Sequence, residues 1–382
     1  MTGTEAKAPL SASRERLLIT LSLTITALIV FVIGEFALRV LSTSTDYIPK
    51  AKIGDTEQHA YLGKTLTPGY SFSNHRASFS VNSRGFRGPE FDASKAEGTY
   101  RIFALGGSTT FGFFPSISAD DKTYPAQLQT ILNKNKPDAN VSKYEVINAG
   151  VPGYSTRTSL HNLASRILYY QPDMIIIYHN TNDLSRYGDE QELIKPLDKM
   201  ANRTTRIEAI FAALFDWSYL LMELKFTTVN RIMPMFASHS MAGTSTEWQE
   251  DERYAEAFAR DLTSLIAVAK AHGIKVVMPS QSIAVTAATN YKKLTNDEIG
   301  MQLDKPDPYH PGIPPQHRFQ MFSKYNAIIE QVANKEGVTF VDANRVIPKT
   351  PEYHSDYCHL TDKGASLLAQ TVASGVAQSI QR

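Results

Sequence analysis

Four short blocks carry the residue types that acyl transfer requires: Gly106-Gly107-Ser108, Asn148-Ala-Gly-Val-Pro-Gly153, Asn180-Thr-Asn-Asp183 and Asp356-Tyr-Cys-His359. A serine hydroxyl is a weak nucleophile at neutral pH and needs an adjacent base. His359 is the candidate base, and Asp356, three residues earlier, could orient its imidazole and stabilise the imidazolium. Attack on an ester carbonyl creates an oxyanion that needs fixed donors. The backbone N–H groups of Ser108 and Gly153 and the side-chain amide of Asn182 are the candidate donors.

Such blocks cooperate only if the fold gathers them. Ile102 to Leu105 is a continuous apolar run, as expected of a central parallel strand, and Gly106-Gly107 lets the chain turn sharply after it. Taken alone, this stretch reads more simply as a strand-ending turn with a capping serine. The other blocks change that reading, because they too follow predicted strands. Further strands are expected at Tyr144–Ile147, Met174–Tyr178, Ile274–Met278 and Val338–Val341. Between them, helical spacing recurs over 125–132, 160–169, 251–272, 319–333 and 364–380. The alternation predicts an α/β fold with about five parallel strands covered on both faces. Parallel strands put their carboxyl ends, and hence the blocks, on one edge.

The ordered set resembles the SGNH hydrolase (GDSL esterase/lipase) family, named for a serine, glycine, asparagine and histidine in separate blocks. The likeness runs from about Tyr100 to Gln381. It implies a three-layer α/β/α, flavodoxin-like fold and ester hydrolysis through an acyl-serine, with no cofactor and no metal. Two positions depart from the family pattern: Gly107 stands where aspartate is more frequent, and Asn180 where glycine is common. Neither carries the nucleophile, base or oxyanion donor, so the expected effect is on pocket shape.

Leu17 to Gly34 contains no charged residue and is flanked by Arg14, Arg16, Glu35 and Arg39. At ~1.5 Å per residue such a run covers a bilayer core, and it exceeds the usual apolar stretch of a cleaved signal peptide. An uncleaved transmembrane anchor at 17–38 is therefore expected. The basic residues on its two sides balance, so charge bias does not set its orientation. The expected organisation is an N-terminal tail at 1–16, the anchor, a linker and accessory segment at 39–98, and the hydrolase domain at 99–382 with a helical insert at about 184–250. The anchor, with the Asn82-Ser-Arg-Gly-Phe-Arg87 lead-in, resembles bacterial membrane-anchored members of the family. That implies a single-pass inner-membrane protein facing the periplasm or exterior, acting on acyl esters, acetyl among them, of an envelope glycan or related carbohydrate. An acyltransferase or lipase using the same triad and a non-catalytic scaffold are the alternatives.

The formal net charge of +1 gives no basic stripe, so nucleic-acid binding is not expected. Cys358 is the single cysteine, which excludes an intrachain disulfide. His354, Asp356, Cys358 and His359 include zinc-ligand types but lack the second separated pair of a structural zinc site. Glycines 106–112 lack the Gly-Lys-Ser/Thr ending of a phosphate loop. Asp183 and Asp342 are read as structural hydrogen-bonders, and Arg84, Phe86 and Arg87 as surface packing and salt bridges.

Overall fold

The structure, a computed structural model, describes residues 12–44, 56–59, 62–73, 77–112, 116–185, 218, 220–221, 250–284, 313 and 315–382. The helical insert expected at about 184–250 falls almost wholly outside the described residues. The chain divides into two compact units, Met1–Ile53 with Asn202–Thr244, and Gly54–Ala201 with Ser245–Arg382.

In the first unit, helix α1 (Ala12–Ser44) contains the uncharged run. Over Ser13–Val40 it is long and apolar enough to cross a membrane. Near its end Glu35 is buried, accepts the Ser218 hydroxyl at 2.8 Å and the Leu220 N–H at 3.0 Å, and pairs with Arg39 at 2.7 Å.

The second unit is built on a five-stranded parallel sheet. Two antiparallel hairpins precede it: β1 (Thr56–His59) with β2 (Gly63–Leu66), and β3 (Ser71–Ser73) with β4 (Ser78–Ser80). Its strands are β5 (Thr99–Gly106), β6 (Lys143–Gly150), β7 (Met174–Tyr178), β8 (Lys275–Pro279) and β9 (Thr339–Val341), in the order β6-β5-β7-β8-β9. This is the flavodoxin-like arrangement, with β5 one strand in from the edge and the order reversing beside it. All five predicted strands are present: β5 and β6 run longer than predicted, β7 matches, β8 is shifted by one residue and β9 is one residue shorter.

Residues of β5 and β7 are buried on both faces, which is why their sequences do not alternate. Phe103, Leu105, Ile175 and Ile177 face one core, with Phe258, Leu262 and Ile266 of α6 (Glu252–Ala271) and Phe322, Tyr325 and Ile329 of α7 (Pro315–Glu336). Ile102, Ala104, Ile176 and Tyr178 face the other, with Leu128 and Leu132 of α3 (Tyr124–Asn135) and Leu368 and Val372 of α9 (Asp362–Gln381). The short helices α2 (Ser108–Phe111), α5 (Thr181–Leu184) and α8 (Ala343–Val346) follow β5, β7 and β9 directly. Helix α4 (Thr156–Ser165) starts earlier than its apolar spacing suggests, because Ser155 caps it by accepting the Thr158 N–H. A 3-10 turn, Ile167–Tyr170, takes up the rest of the predicted helix.

The segment before β5 corrects one expectation. Phe86 and Arg87 are 1% and 4% exposed, so they are core rather than surface. The Asn82 side chain organises the turn: its Oδ1 accepts the Arg84 and Phe86 N–H groups, each at 3.0 Å, and its Nδ2 donates to Pro89 O. Arg87 then donates to Asp120 at 2.8 Å and to the carbonyls of Phe111 and Gly112, and its guanidinium lies 4.8 Å from the Phe111 ring centre. A small third core joins Leu62, Leu66, Phe79 and Val81 to Phe111, Val151 and Tyr154. The accessory segment therefore braces the two loops that follow β5 and β6.

Candidate active site

Ser108 is the first residue of α2, one residue after the end of β5, with Gly107 between them as the N-cap. His359 Nε2 lies 2.7 Å from its Oγ, and His359 Nδ1 lies 2.5 Å from Asp356 Oδ2. The Asp356 carboxylate is held by its own loop: Oδ1 accepts the N–H groups of Cys358 at 2.8 Å and His359 at 2.7 Å. That loop is closed by the Ser355 N–H donating to His359 O and by a bridge between His354 and Leu360. Thr361 then caps α9, accepting the Gly364 N–H. Both ring nitrogens of His359 are thus engaged, one on the serine and one on the aspartate.

Electrostatics favour the charged relay. Burial works against the Asp356 carboxylate, but His359 and the backbone donors outweigh it and hold its pKa below the ordinary value. Burial likewise disfavours the His359 imidazolium, whereas the Cys358 sulfur and Asp356 favour it, and its pKa is raised well above 6.5. Burial pushes the Cys358 thiol up, so at neutral pH it is uncharged and Asp356 is the anion that matters. Cys358 Sγ stands 3.7 Å from His359 Nδ1, on the aspartate side of the ring.

One of the proposed oxyanion donors, the Asn182 amide, packs against Gly107, the residue before Ser108. Asn182 Nδ2 donates to Tyr154 O at 2.9 Å, which occupies one of its two hydrogens. A Cβ on Gly107 would collide with that Nδ2 and lie 3.2 Å from Tyr154 O. Gly107 therefore permits a close approach that no other residue allows. Gly153, one residue before Tyr154, has φ +85°, a conformation that suits glycine. Among the described residues, neither the Ser108 nor the Gly153 N–H donates to a protein acceptor. Lys64 Nζ, from β2, would be 3.0 Å from a Cβ on Gly153, a proximity with no local sequence signal.

The remaining polar residues of the blocks are structural. Asn148 Nδ2 donates to the Thr110 and Phe111 carbonyls and its Oδ1 accepts the Gly150 N–H, tying α2 to the end of β6. Asn180 donates to Phe322 O and Asn326 Oδ1 on α7. Asp183 accepts the Thr156 N–H at 2.9 Å and Asp342 accepts the Arg345 N–H at the start of α8. His354 is directed to Ser282, 3.0 Å away, rather than toward Cys358 and His359. A cleft lined by Lys95, Tyr100, Asp173 and Lys275 opens at the amino ends of the strands, away from Ser108.

Among solved structures, an acetylxylan esterase from Geobacillus stearothermophilus is 15% identical, with 72% of this chain and 94% of that chain covered and a TM-score of 0.41. A GDSL-like lipase from Bacteroides thetaiotaomicron is 13% identical, covering 73% and 88%, with a TM-score of 0.39. A lipase/acylhydrolase from Enterococcus faecalis is 14% identical, covering 73% and 96%, with a TM-score of 0.41. No curated protein matches by sequence. The model of the GDSL-like lipase/acylhydrolase family matches residues 104–367, from the end of β5 through the block that holds Asp356 and His359. On that match, which covers well over half of its length, the chain belongs to the GDSL-like lipase/acylhydrolase family and is a carboxylic ester hydrolase.

Proposed function

We propose that this protein is a membrane-anchored serine esterase that removes O-acyl groups, acetyl in particular, from a cell-envelope glycan or related carbohydrate. The observation that carries the catalytic part is the continuous Asp356–His359–Ser108 relay, with contacts of 2.5 and 2.7 Å at the carboxyl edge of the sheet. In this reading His359 Nε2 takes the proton of Ser108 as Oγ attacks the ester carbonyl, and Asp356 stabilises the imidazolium. The N–H groups of Ser108 and Gly153 and the free hydrogen of Asn182 Nδ2 receive the oxyanion. One such donor is worth roughly 3 to 4 kcal/mol of barrier. As the C–O bond breaks, His359 returns the proton to the departing alcohol oxygen, leaving an acyl-serine. Water, deprotonated by His359, then attacks the acyl carbon, and the carboxylic acid leaves with Ser108 restored.

The anchor part is supported by α1, whose apolar Ser13–Val40 stretch is long enough to cross a bilayer. The proposed organisation is a tail at 1–16, the anchor at 17–38, a linker and accessory segment at 39–98, and a hydrolase domain at 99–382 with an insert at about 184–250. A signal-anchor arrangement would put the hydrolase domain on the outer side of a bacterial inner membrane. The test uses the full chain in neutral detergent micelles and a chain-length series of aryl esters. Turnover of the acetyl ester that Ser108→Ala and His359→Ala abolish is expected. Turnover independent of Ser108 would end the catalytic proposal; preference for long chains would favour a lipase, and transfer to added sugar in excess of hydrolysis an acyltransferase.

A further inference from the structure

Lys64 comes from the accessory hairpin, yet its side chain ends at the active site. Its own carbonyl accepts the Tyr154 hydroxyl at 2.6 Å, which fastens β2 to the loop bearing Gly153. On Gly153, a built Cβ would meet Lys64 Nζ at 3.0 Å and Cε at 3.5 Å and nothing else within 4 Å. The ammonium therefore overhangs the open side of a proposed oxyanion donor, and Gly153 itself is exposed.

The lysine lacks what neighbouring basic residues have. Arg84 pairs with Glu90, Arg87 with Asp120 and Lys95 with Asp173. Among the described residues no carboxylate or carbonyl accepts from Lys64 Nζ. Burial lowers its pKa, and no nearby anion opposes that effect. A half-buried ammonium without a counter-ion is costly in the free enzyme and gains most from an anion that arrives with substrate.

We propose that Lys64 is a specificity-determining residue that selects esters carrying an anionic group, carboxylate or phosphate, close to the scissile bond. An acetyl group bears no charge, so the anion belongs to the alcohol portion, and the glycan of the preceding proposal is an acidic one. This inference rests on the esterase reading of Ser108.

The experiment compares three acetyl esters on the full chain in neutral detergent: para-acetoxybenzoate, para-acetoxyphenyl phosphate and the uncharged para-acetoxybenzamide. Wild type, Lys64→Met and Lys64→Arg are each assayed for kcat and KM. A charge-assisted hydrogen bond predicts that Lys64→Met lowers the ratio of kcat/KM for charged over uncharged ester about 10- to 100-fold, chiefly through KM. Lys64→Arg should keep most of the ratio, and added salt should reduce it in wild type. The better of the two charged esters identifies carboxylate or phosphate as the recognised group. An unchanged ratio in Lys64→Met, or an equal fall in kcat on all three esters, overturns the inference while leaving the esterase reading intact. Wild type without Ser108-dependent turnover of any of the three esters would remove both.

Discussion

His359 Nδ1 stands 2.5 Å from one oxygen of Asp356, while the other oxygen receives the backbone N–H groups of Cys358 and His359. The carboxylate is thus fixed by main chain before it fixes the imidazole. Asp356→Asn keeps the shape but replaces an acceptor with an amide able to donate toward Nδ1, favouring the wrong tautomer. For a triad of this kind the expected loss is about 10⁴-fold in kcat. A loss under about tenfold would show that another group orients the histidine.

The raised His359 pKa sets the acid limb of the rate profile. The imidazole must be neutral to accept the Ser108 proton, so kcat/KM should rise with pH through a midpoint above 6.5. Stability runs the other way for this group. A pKa raised on folding contributes stability at low pH that is lost as pH passes upward through the folded value. The lowered pKa of Asp356 contributes above the ordinary aspartate range and is lost as pH falls below it. Asp356→Asn should move the acid limb down; an unmoved limb would assign it to a different group.

Gly107 and Asn182 form a steric pair, since a Cβ at 107 would collide with the Asn182 amide nitrogen. Gly107→Ala is expected to displace that amide and lower kcat about 10²- to 10³-fold, the loss typical of one oxyanion donor. Asn182→Ala should cost about the same. Because one donor is lost in either case, the double variant should lose little more than each single one. Additive losses would mean that Gly107 acts by another route.

Arg87 braces the turn after the nucleophile through the carbonyls of Phe111 and Gly112 and pairs with Asp120. Its side chain is 2% exposed and that of Asp120 26%, so the abandoned carboxylate keeps some contact with water. Arg87→Met should therefore destabilise the domain by about 2 to 4 kcal/mol, somewhat below the cost of breaking a fully buried pair. Chemical denaturation would measure it, and a change within about 0.5 kcal/mol would reduce the brace to a surface contact.

The hydrolase fold was largely legible because its signals are local. Buried strands such as 102–105 and 174–178 are runs of apolar residues, the helices between them repeat at 3.6 residues, and Gly106-Gly107 marks a sharp turn. These patterns also put each block after its strand or before the last helix. Contacts across the sheet are another matter. His359 meets Ser108 across 251 positions because the loop beyond β9 reaches the end of β5, although β7 and β8 lie between the two strands. Arg87 looked like a surface residue since nothing nearby in sequence pairs with it; its partners Asp120 and Phe111 arrive only when the accessory segment folds onto the sheet. Lys64 is likewise one basic residue in a polar strand until the Tyr154 hydroxyl pins that strand beside Gly153. The sequence by itself determined which groups could react and which elements carry them. The tertiary structure decided which groups meet, because a hydrogen bond or a steric contact depends on separation in space, and that depends on how all the elements pack.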